Sequence, residues 1–177
     1  MEIAEKIIDS QLIYEGKIIK VYNEKVLLPN GNISARDIVK HKGACTILAE
    51  KDGEILFIRQ FRTALNKIIY ELPAGCIEEN EDIFDCAIRE LNEETGYEAH
   101  DIRHLSSVYS TPGFSDEIIH IFSSDNIVKS KHKKECDADE FIDVYFIAKS
   151  KVLEMIISGE INDAKTICAI FLYLNSK

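Results

Sequence analysis

The 177-residue sequence contains no apolar run that approaches the roughly 18–20 residues of a membrane span, so we expect no transmembrane helix. Its N-terminal segment, Met1 to Lys6, carries acidic residues instead of a basic stretch followed by an apolar core, which argues against a secretory signal. Repeats, low-complexity tracts and long linkers are also absent. With 46% hydrophobic and 29% charged residues, the composition is that of a soluble globular protein of one domain.

Cysteine spacing and net charge exclude further classes. The five cysteines are odd in number and lack Cys-x-x-Cys spacing, so they indicate reduced packing residues in a cytoplasmic protein rather than a disulfide framework or a zinc site. The formal charge of −10 argues against nucleic acid as a partner. An anionic substrate would therefore need cations placed locally in its site, such as a metal ion and a few arginines.

Segments rich in β-branched and aromatic residues predict strands on both sides of a helical region. The predicted strands are 7–14, 17–28, 33–40, 44–49, 54–59, 68–72, 102–109, 117–123 and 141–148. Pro29–Gly31 and Lys51–Gly53 are turn sequences that predict hairpins. Helical periodicity runs over 82–95, 150–157 and 163–174.

Strands interleaved with helices predict an α+β fold with a mixed sheet and helices packed on its faces. We expect residues 1–43 to form an N-terminal antiparallel β segment and residues 44–177 to form the main domain. Ser150 is expected to cap the second helix.

The region with the most chemical content is the predicted helix 82–95. At about 100° per residue, the carboxylates of Glu90, Glu93 and Glu94 fall within an arc of roughly 100° on one side of this helix. Three crowded acidic groups repel one another, and a hard divalent cation such as Mg²⁺ would compensate them. The alternative is a solvated acidic face, which is the usual meaning of a charge run.

The segment around this helix resembles the Nudix box of the Nudix hydrolases, Gly-x5-Glu-x7-Arg-Glu-U-x-Glu-Glu-x-Gly-U, where U is apolar. Every position is filled, and Tyr97 at the last apolar place is the one soft match. The matching residues are Gly75, Glu81, Arg89, Glu90, Leu91, Glu93, Glu94, Gly96 and Tyr97. The resemblance implies a Nudix-type α/β/α sandwich with a mixed β-sheet, and hydrolysis of a pyrophosphate.

The same resemblance implies roles for the residues of the box. The expected ligands of Mg²⁺ (or Mn²⁺) are Ala74 through its carbonyl, Glu81, Glu90 and Glu94. Glu93 is expected beside the metal, where it accepts a hydrogen bond from Arg89 or shares an ion. Glu81 is expected to form a salt bridge with Arg89 or to reach an outer metal.

Four further segments are similar to one branch of the family, the ADP-ribose pyrophosphatases. They are Ile58–Arg62, Glu71–Gly75, Thr111–Glu117 and Gly159–Thr166. Pro112 follows Gly96 by sixteen residues, which is the position that marks this branch. The resemblance therefore implies ADP-ribose as the substrate, with AMP and ribose 5-phosphate as the products.

Candidate substrate contacts lie outside the box. Arg59 and Arg62 bracket an aromatic residue, and guanidinium groups bind phosphate oxygens bidentately and stack on bases. We expect both, together with Arg36, to contact phosphate or ribose, although arginines at strand ends also serve as surface charges with packed stems. By resemblance, Glu117 is expected to hold the terminal ribose.

The resemblance places the general base in the acidic loop before the last strand. Many relatives read Asp-Glu-Asp-Glu-Phe there, whereas this chain has Ala138 within Glu135–Phe141. Glu140 is therefore the expected base or additional metal ligand, and Asp139 is the second choice.

The resemblance also implies a homodimer in which the N-terminal segment is exchanged between subunits. Two alternatives to ADP-ribose hydrolysis stay open from the sequence. One is hydrolysis of another nucleoside diphosphate sugar or a nucleoside triphosphate, because the pocket shape that selects base and sugar is hidden in the sequence. The other is a non-catalytic sensor that binds a nucleotide, which the intact box disfavours.

Overall fold

The structure, a computed structural model, describes residues 3–132 and 140–176. The strands are β1 (Lys6–Glu15), β2 (Ile19–Leu27), β3 (Ile33–His41), β4 (Ala44–Lys51), β5 (Glu54–Arg62), β6 (Lys67–Glu71), β7 (Ala74–Cys76), β8 (Tyr97–His100), β9 (Arg103–Tyr109), β10 (Ile118–Ser124), β11 (Asn126–Lys129) and β12 (Ile142–Ala148). The helices are α1 (Ile83–Thr95), α2 (Lys149–Ile157) and α3 (Ala164–Asn175). None of these helices is long and apolar enough to cross a membrane.

The chain divides into two compact units. The first contains the described residues of Met1–Gly43 together with Tyr109–Ile118, and the second contains those of Ala44–Val108 and Ile119–Lys177. The first unit is thus built from two stretches of chain that are distant in sequence.

The first unit is built on an antiparallel sheet in the order β1-β2-β3. The predicted turn after β2 is present, with the Gly31 N–H donating to the Leu28 carbonyl at 2.9 Å. Gly31 has φ 85°, a conformation that a glycine adopts without strain. The second stretch joins β3 through its backbone, because the Val39 N–H donates to the Phe114 carbonyl at 2.7 Å and the Val39 carbonyl accepts from the Asp116 N–H at 3.2 Å.

The second unit is built on a mixed sheet in the order β12-β5-β4-β10-β9, with β6 paired to β5 and β7 paired to β4. Strand β10 runs parallel to β4, from Ile119 opposite Ala44 to Ser124 opposite Ala49. The central strand β4 is almost entirely buried, as expected of a strand that is covered on both faces.

Helices cover the two faces of this sheet. Leu48 of β4 packs in one apolar cluster with Val152 of α2 and Tyr173 of α3. Ile47, its neighbour on β4, points to the opposite face and packs in a second cluster with Leu91 of α1. Helix α1 therefore lies on one side of the sheet and α2 and α3 on the other, which is the predicted sandwich.

The helix that carries the acidic residues begins and ends where the sequence predicts. Asp82 caps it by accepting a hydrogen bond from the Phe84 N–H at 2.8 Å, and Gly96 ends it at φ 70°. The prediction for α2 was wrong in detail, because Ala148 holds the N-cap position without a side-chain hydrogen bond and Ser150 lies inside the helix. The sequence also missed β7, β8 and β11, which at three or four residues are too short to show a period of two.

Candidate functional site

The close approach of β7 to α1 forms the centre of the site. A Cβ atom added to Gly75 would lie 2.0 Å from Glu90 Oε1 and 2.2 Å from Glu90 Cδ, so the Glu90 carboxylate occupies the space of the missing side chain. Gly75 lies within strand β7, where it pairs with Cys45. The glycine is therefore needed for close contact between strand and helix rather than for an unusual backbone conformation.

A second carboxylate joins the same strand to the same helix. Glu94 is 2% exposed, and its Oε2 accepts a hydrogen bond from the Ala74 N–H at 2.9 Å. The carboxylates of Glu90 and Glu94 thus lie one turn apart on α1 and against consecutive residues of β7. The structure brings together three of the residues for which metal ligation was predicted.

Arg89 organises the remaining acidic residues of the helix. Its Nε and Nη2 donate to the two oxygens of Glu81 at 2.6 and 2.9 Å. Its Nη1 donates to Glu90 Oε1 at 2.7 Å and to Glu93 Oε2 at 2.9 Å. The structure shows both contacts predicted for Arg89, with Glu81 and with Glu93, and adds a third with Glu90.

The carboxylates of Glu81, Glu90 and Glu94 fall into two groups according to the direction in which their pKa is shifted. The hydrogen bonds from Arg89 lower the pKa of Glu81 to about 2, despite its partial burial. Burial raises the pKa of Glu90 to about 7 against the attraction of Arg89, and the charges of Glu93 and Glu140 add to this rise. Burial also raises the pKa of Glu94 well above its usual range, and repulsion from Glu90 increases the effect. Glu90 and Glu94 therefore lie where additional positive charge would be stabilising.

Within residues 3–132 and 140–176, no group of three or more histidine, cysteine, aspartate and glutamate side chains is arranged to hold a metal ion. The Arg89 guanidinium lies among these carboxylates and forms ion pairs with Glu81, Glu90 and Glu93.

The residues nevertheless fit a divalent cation. The carboxylates of the half-buried Glu90 and the buried Glu94 repel each other beside a strand end, and the Gly75 backbone leaves room for Glu90. Carboxylate and backbone carbonyl oxygens are the ligands that Mg²⁺ and Mn²⁺ prefer.

Glu140, just before β12, adds a further negative charge to the surroundings of Glu90 and Glu94. Its charge raises the pKa of both Glu90 and Glu94, so its carboxylate lies within electrostatic range of the pair. Asp139 and Ala138, the other residues that the sequence singled out here, lie outside the described residues.

The two arginines of β5 have different surroundings. Arg62 donates through Nε and Nη2 to both oxygens of Glu71, at 2.6 and 2.8 Å. The Arg59 guanidinium lies over the rings of Tyr70 and Tyr145, with its Cζ 5.8 and 5.2 Å from the ring centroids. Residues three apart on a strand point to opposite faces, so the two arginines do not form one cluster.

The other two predicted substrate contacts belong to the first unit. Arg36 donates to Glu5 Oε1 at 2.6 Å and to the Ser34 hydroxyl at 3.0 Å. Glu117 lies 3.5 Å from Nδ1 of His41. These residues are therefore organised by the N-terminal sheet and not by the sheet that carries the box.

Known proteins match this chain over most of its length. A family model for the NUDIX domain matches residues 39–169. The chain is 44% identical over 167 residues to the ADP-ribose pyrophosphatase of Bacillus subtilis (strain 168), which covers 94% of this chain and 90% of that protein. It is 39% identical over 167 residues to the methanol dehydrogenase activator of Bacillus methanolicus, with the same coverage of 94% and 90%.

A solved structure also matches closely. The crystal structure of an ADP compounds hydrolase superimposes with a TM-score of 0.87 over 97% of this chain and 93% of that one, at 18% sequence identity. This likeness confirms the predicted α+β fold with a mixed sheet and helices on its faces.

Proposed function

Because the chain belongs to the NUDIX domain family, we propose that it hydrolyses the pyrophosphate bond of ADP-ribose or a related nucleoside diphosphate sugar. The products from ADP-ribose are AMP and ribose 5-phosphate. The observation that carries the proposal is the pair formed by the half-buried Glu90 and the buried Glu94 against the strand end at Ala74. Taking two carboxylates out of water costs free energy, and a cation bound between them would offset that cost.

The cation would be held by Glu90, Glu94 and the carbonyl of Ala74, with Glu81 as an outer ligand. When bound, Mg²⁺ or Mn²⁺ supplies neutralisation of the phosphoryl charge and polarises water. The barrier to phosphoryl transfer is largely electrostatic, so positioning of these carboxylates decides the rate.

The chain's own residues supply the remaining functions. Arg89 holds Glu81, Glu90 and Glu93 in one orientation through its five-donor fork. Glu140 accepts the proton of the attacking water, and the effect of its charge on the pKa of Glu90 and Glu94 supports a position near them.

The proposal includes the four substrate contacts that were predicted from the sequence. Arg62 presents the guanidinium edge that faces away from Glu71 to a phosphate oxygen. Arg59 and Arg36 provide further contacts to phosphate or ribose, and Glu117 holds the terminal ribose.

We further propose that the protein is a homodimer joined through its N-terminal segment. Strand β1 is exposed along its whole length and is the edge of its sheet. It carries large exposed apolar side chains, namely Ile7, Ile8, Leu12, Ile13 and Tyr14. An exposed apolar edge strand pairs readily with another chain. Sedimentation of a monomer near 20 kDa at micromolar concentration would refute the dimer.

We place the protein in the cytoplasm. Among the described residues, Cys45 and Cys86 are buried free thiols and Cys168 is a half-buried one. Free buried thiols are typical of a reducing compartment.

A substrate panel tests the function. ADP-ribose, ADP-glucose, GDP-mannose, ATP and dGTP are incubated with the protein and Mg²⁺ or Mn²⁺, and released nucleoside monophosphate and phosphate are quantified. We expect the highest kcat/KM with ADP-ribose, AMP as a product, and loss of at least about 10²-fold in kcat for Glu94→Gln. Tight binding of ADP-ribose without turnover would favour the sensor, and hydrolysis restricted to triphosphates would reject the proposed substrate class.

A further inference from the structure

The first residues of α3 contact Glu71 and Leu72, which lead into strand β7. Glu71, at the end of β6, is 1% exposed and accepts hydrogen bonds from Lys165 Nζ and from both Nε and Nη2 of Arg62. Lys165 also lies 3.1 Å from Asp163, the residue that caps α3. The contact between Glu71 and Lys165 joins residues that are 94 positions apart in the chain.

Thr166 makes a second connection at the next residue. Its Oγ1 accepts a hydrogen bond from the Leu72 N–H at 2.9 Å, and the side chain is completely buried. Its own N–H is held by Asp163 Oδ2 at 3.0 Å, so the helix cap sets the position of the hydroxyl.

The four residues from Glu71 to Ala74 are consequently all held by groups from elsewhere in the second unit. The Pro73 carbonyl accepts from the Thr46 hydroxyl and the Ile47 N–H, each at 3.0 Å. The Ala74 N–H donates to Glu94. A shift of α3 would therefore be passed along three peptide units to the strand end that contacts the carboxylates of Glu90 and Glu94.

A purely structural role does not account for the ionic part of this arrangement. Well-packed apolar side chains of similar volume are often as stabilising as a buried ion pair, because desolvation offsets most of the attraction. What a buried, hydrogen-bonded pair supplies is a defined geometry, and here the geometry reaches Arg62 and Ala74 at the same time.

We propose that Lys165 and Thr166 are positioning residues for catalysis, which act from α3 through Glu71 and Leu72 on Arg62 and Ala74. This inference rests on the proposed function, since the strand end at Ala74 is the proposed metal-binding edge. Lys165 orients the Glu71 carboxylate that holds Arg62. Thr166 fixes the backbone two residues before Ala74.

The test uses paired variants of the full chain. Lys165→Met and Thr166→Val remove the polar contact and keep the shape, whereas Lys165→Arg and Thr166→Ser retain it. Lys151→Met, on the exposed side of α2, is the matched control for the loss of one lysine. For each variant we would measure kcat and KM for ADP-ribose, Mn²⁺ affinity by calorimetry without substrate, and thermal unfolding.

We expect Lys165→Met and Thr166→Val to lower kcat about 10- to 100-fold, since a misplacement near 1 Å costs that much. We expect weaker Mn²⁺ binding in both, KM within about threefold for Thr166→Val, and rescue to within about threefold by Thr166→Ser and Lys165→Arg. Lys151→Met should match the wild type.

Wild-type kcat and Mn²⁺ affinity in a folded Thr166→Val or Lys165→Met variant would overturn the proposal. So would equal losses in the rescuing variants. If Thr166→Val does not fold, Lys165→Met decides the outcome. If the wild type hydrolyses no member of the panel, the proposed function fails, while the Mn²⁺ titrations still report whether α3 positions the strand end.

Discussion

Replacing Gly75 with alanine should disable the site while leaving the fold intact. The added Cβ would lie 2.0 Å from Glu90 Oε1, whereas ordinary contacts begin near 3.4 Å, so the carboxylate must move by about 1.4 Å. The nearest atoms all belong to the end of one side chain, which is able to rotate away, and none belongs to the backbone. The strain is therefore relieved by displacing Glu90 and not by unfolding the sheet.

The substitution should have opposite effects on catalytic rate and on folding stability. A misplacement near 1 Å costs roughly 10²-fold in rate, equivalent to about 2.7 kcal/mol of transition-state stabilisation. A glycine-to-alanine change in compatible backbone instead stabilises the folded state by about 0.4–1 kcal/mol, because it restricts the unfolded chain. We expect kcat/KM for ADP-ribose to fall at least about 10²-fold, with the melting temperature within about 3 °C of the wild type.

A double-mutant cycle isolates the cause. Glu90→Ala removes the group that the new methyl displaces, so Gly75→Ala should have little additional effect on kcat/KM in that background. Circular dichroism melting curves of all four proteins give the stability comparison. A Gly75→Ala enzyme with wild-type kcat/KM, or one equally impaired with and without Glu90, would refute this reasoning.

Three further predictions concern groups around the same carboxylates. Glu140→Gln should lower kcat by about 10²-fold or more at saturating Mg²⁺ with unchanged Mn²⁺ affinity, and near-normal turnover would remove Glu140 as the base. Arg89→Lys should lower both kcat and the melting temperature, because one ammonium cannot hold Glu81 and Glu90 together, and an unimpaired variant in steady-state and melting assays would contradict this role. Burial opposes ionisation of Glu71, but its hydrogen bonds with Arg62 and Lys165 outweigh burial and lower its pKa. Its ionic contribution to stability is therefore full above the unfolded pKa near 4.3 and is lost as the pH falls through the folded pKa. The free energy of unfolding, measured with urea between pH 6 and 3, should depend less on pH in Glu71→Gln than in the wild type. The same pH dependence in both proteins would contradict an ionic contribution of Glu71.

Local signals in the sequence were sufficient for the catalytic helix. Asp82 and Gly96 define its two ends by their own backbone and side-chain chemistry, and Glu90, Glu93 and Glu94 follow from the helical repeat. The contacts of Arg89 were predictable for the same reason, since its partners lie within one turn or at the helix entrance.

Contacts between distant parts of the chain were not predictable in this way. No local pattern indicates that Lys165 reaches Glu71, because the fold alone brings them together across 94 residues. The separation of Arg59 and Arg62, by contrast, was available from the period of two along a strand. The short strand β7 has three residues, so its role in the close contact with Glu90 emerges only when the helix is packed against it.

The composition of the first unit limits where the chain can be cut. In the sequence, its stretch from Tyr109 to Ile118 comes between two segments that belong to the other unit. The backbone of this stretch nevertheless forms hydrogen bonds with Val39, and the Asp116 carboxylate accepts one from the His41 N–H at 2.9 Å. A protein that started at residue 44 would keep Glu117 but lose the hydrogen-bonding partners of its loop. Shortening the N-terminus should therefore alter which sugar is selected before it alters the capacity to bind a cation.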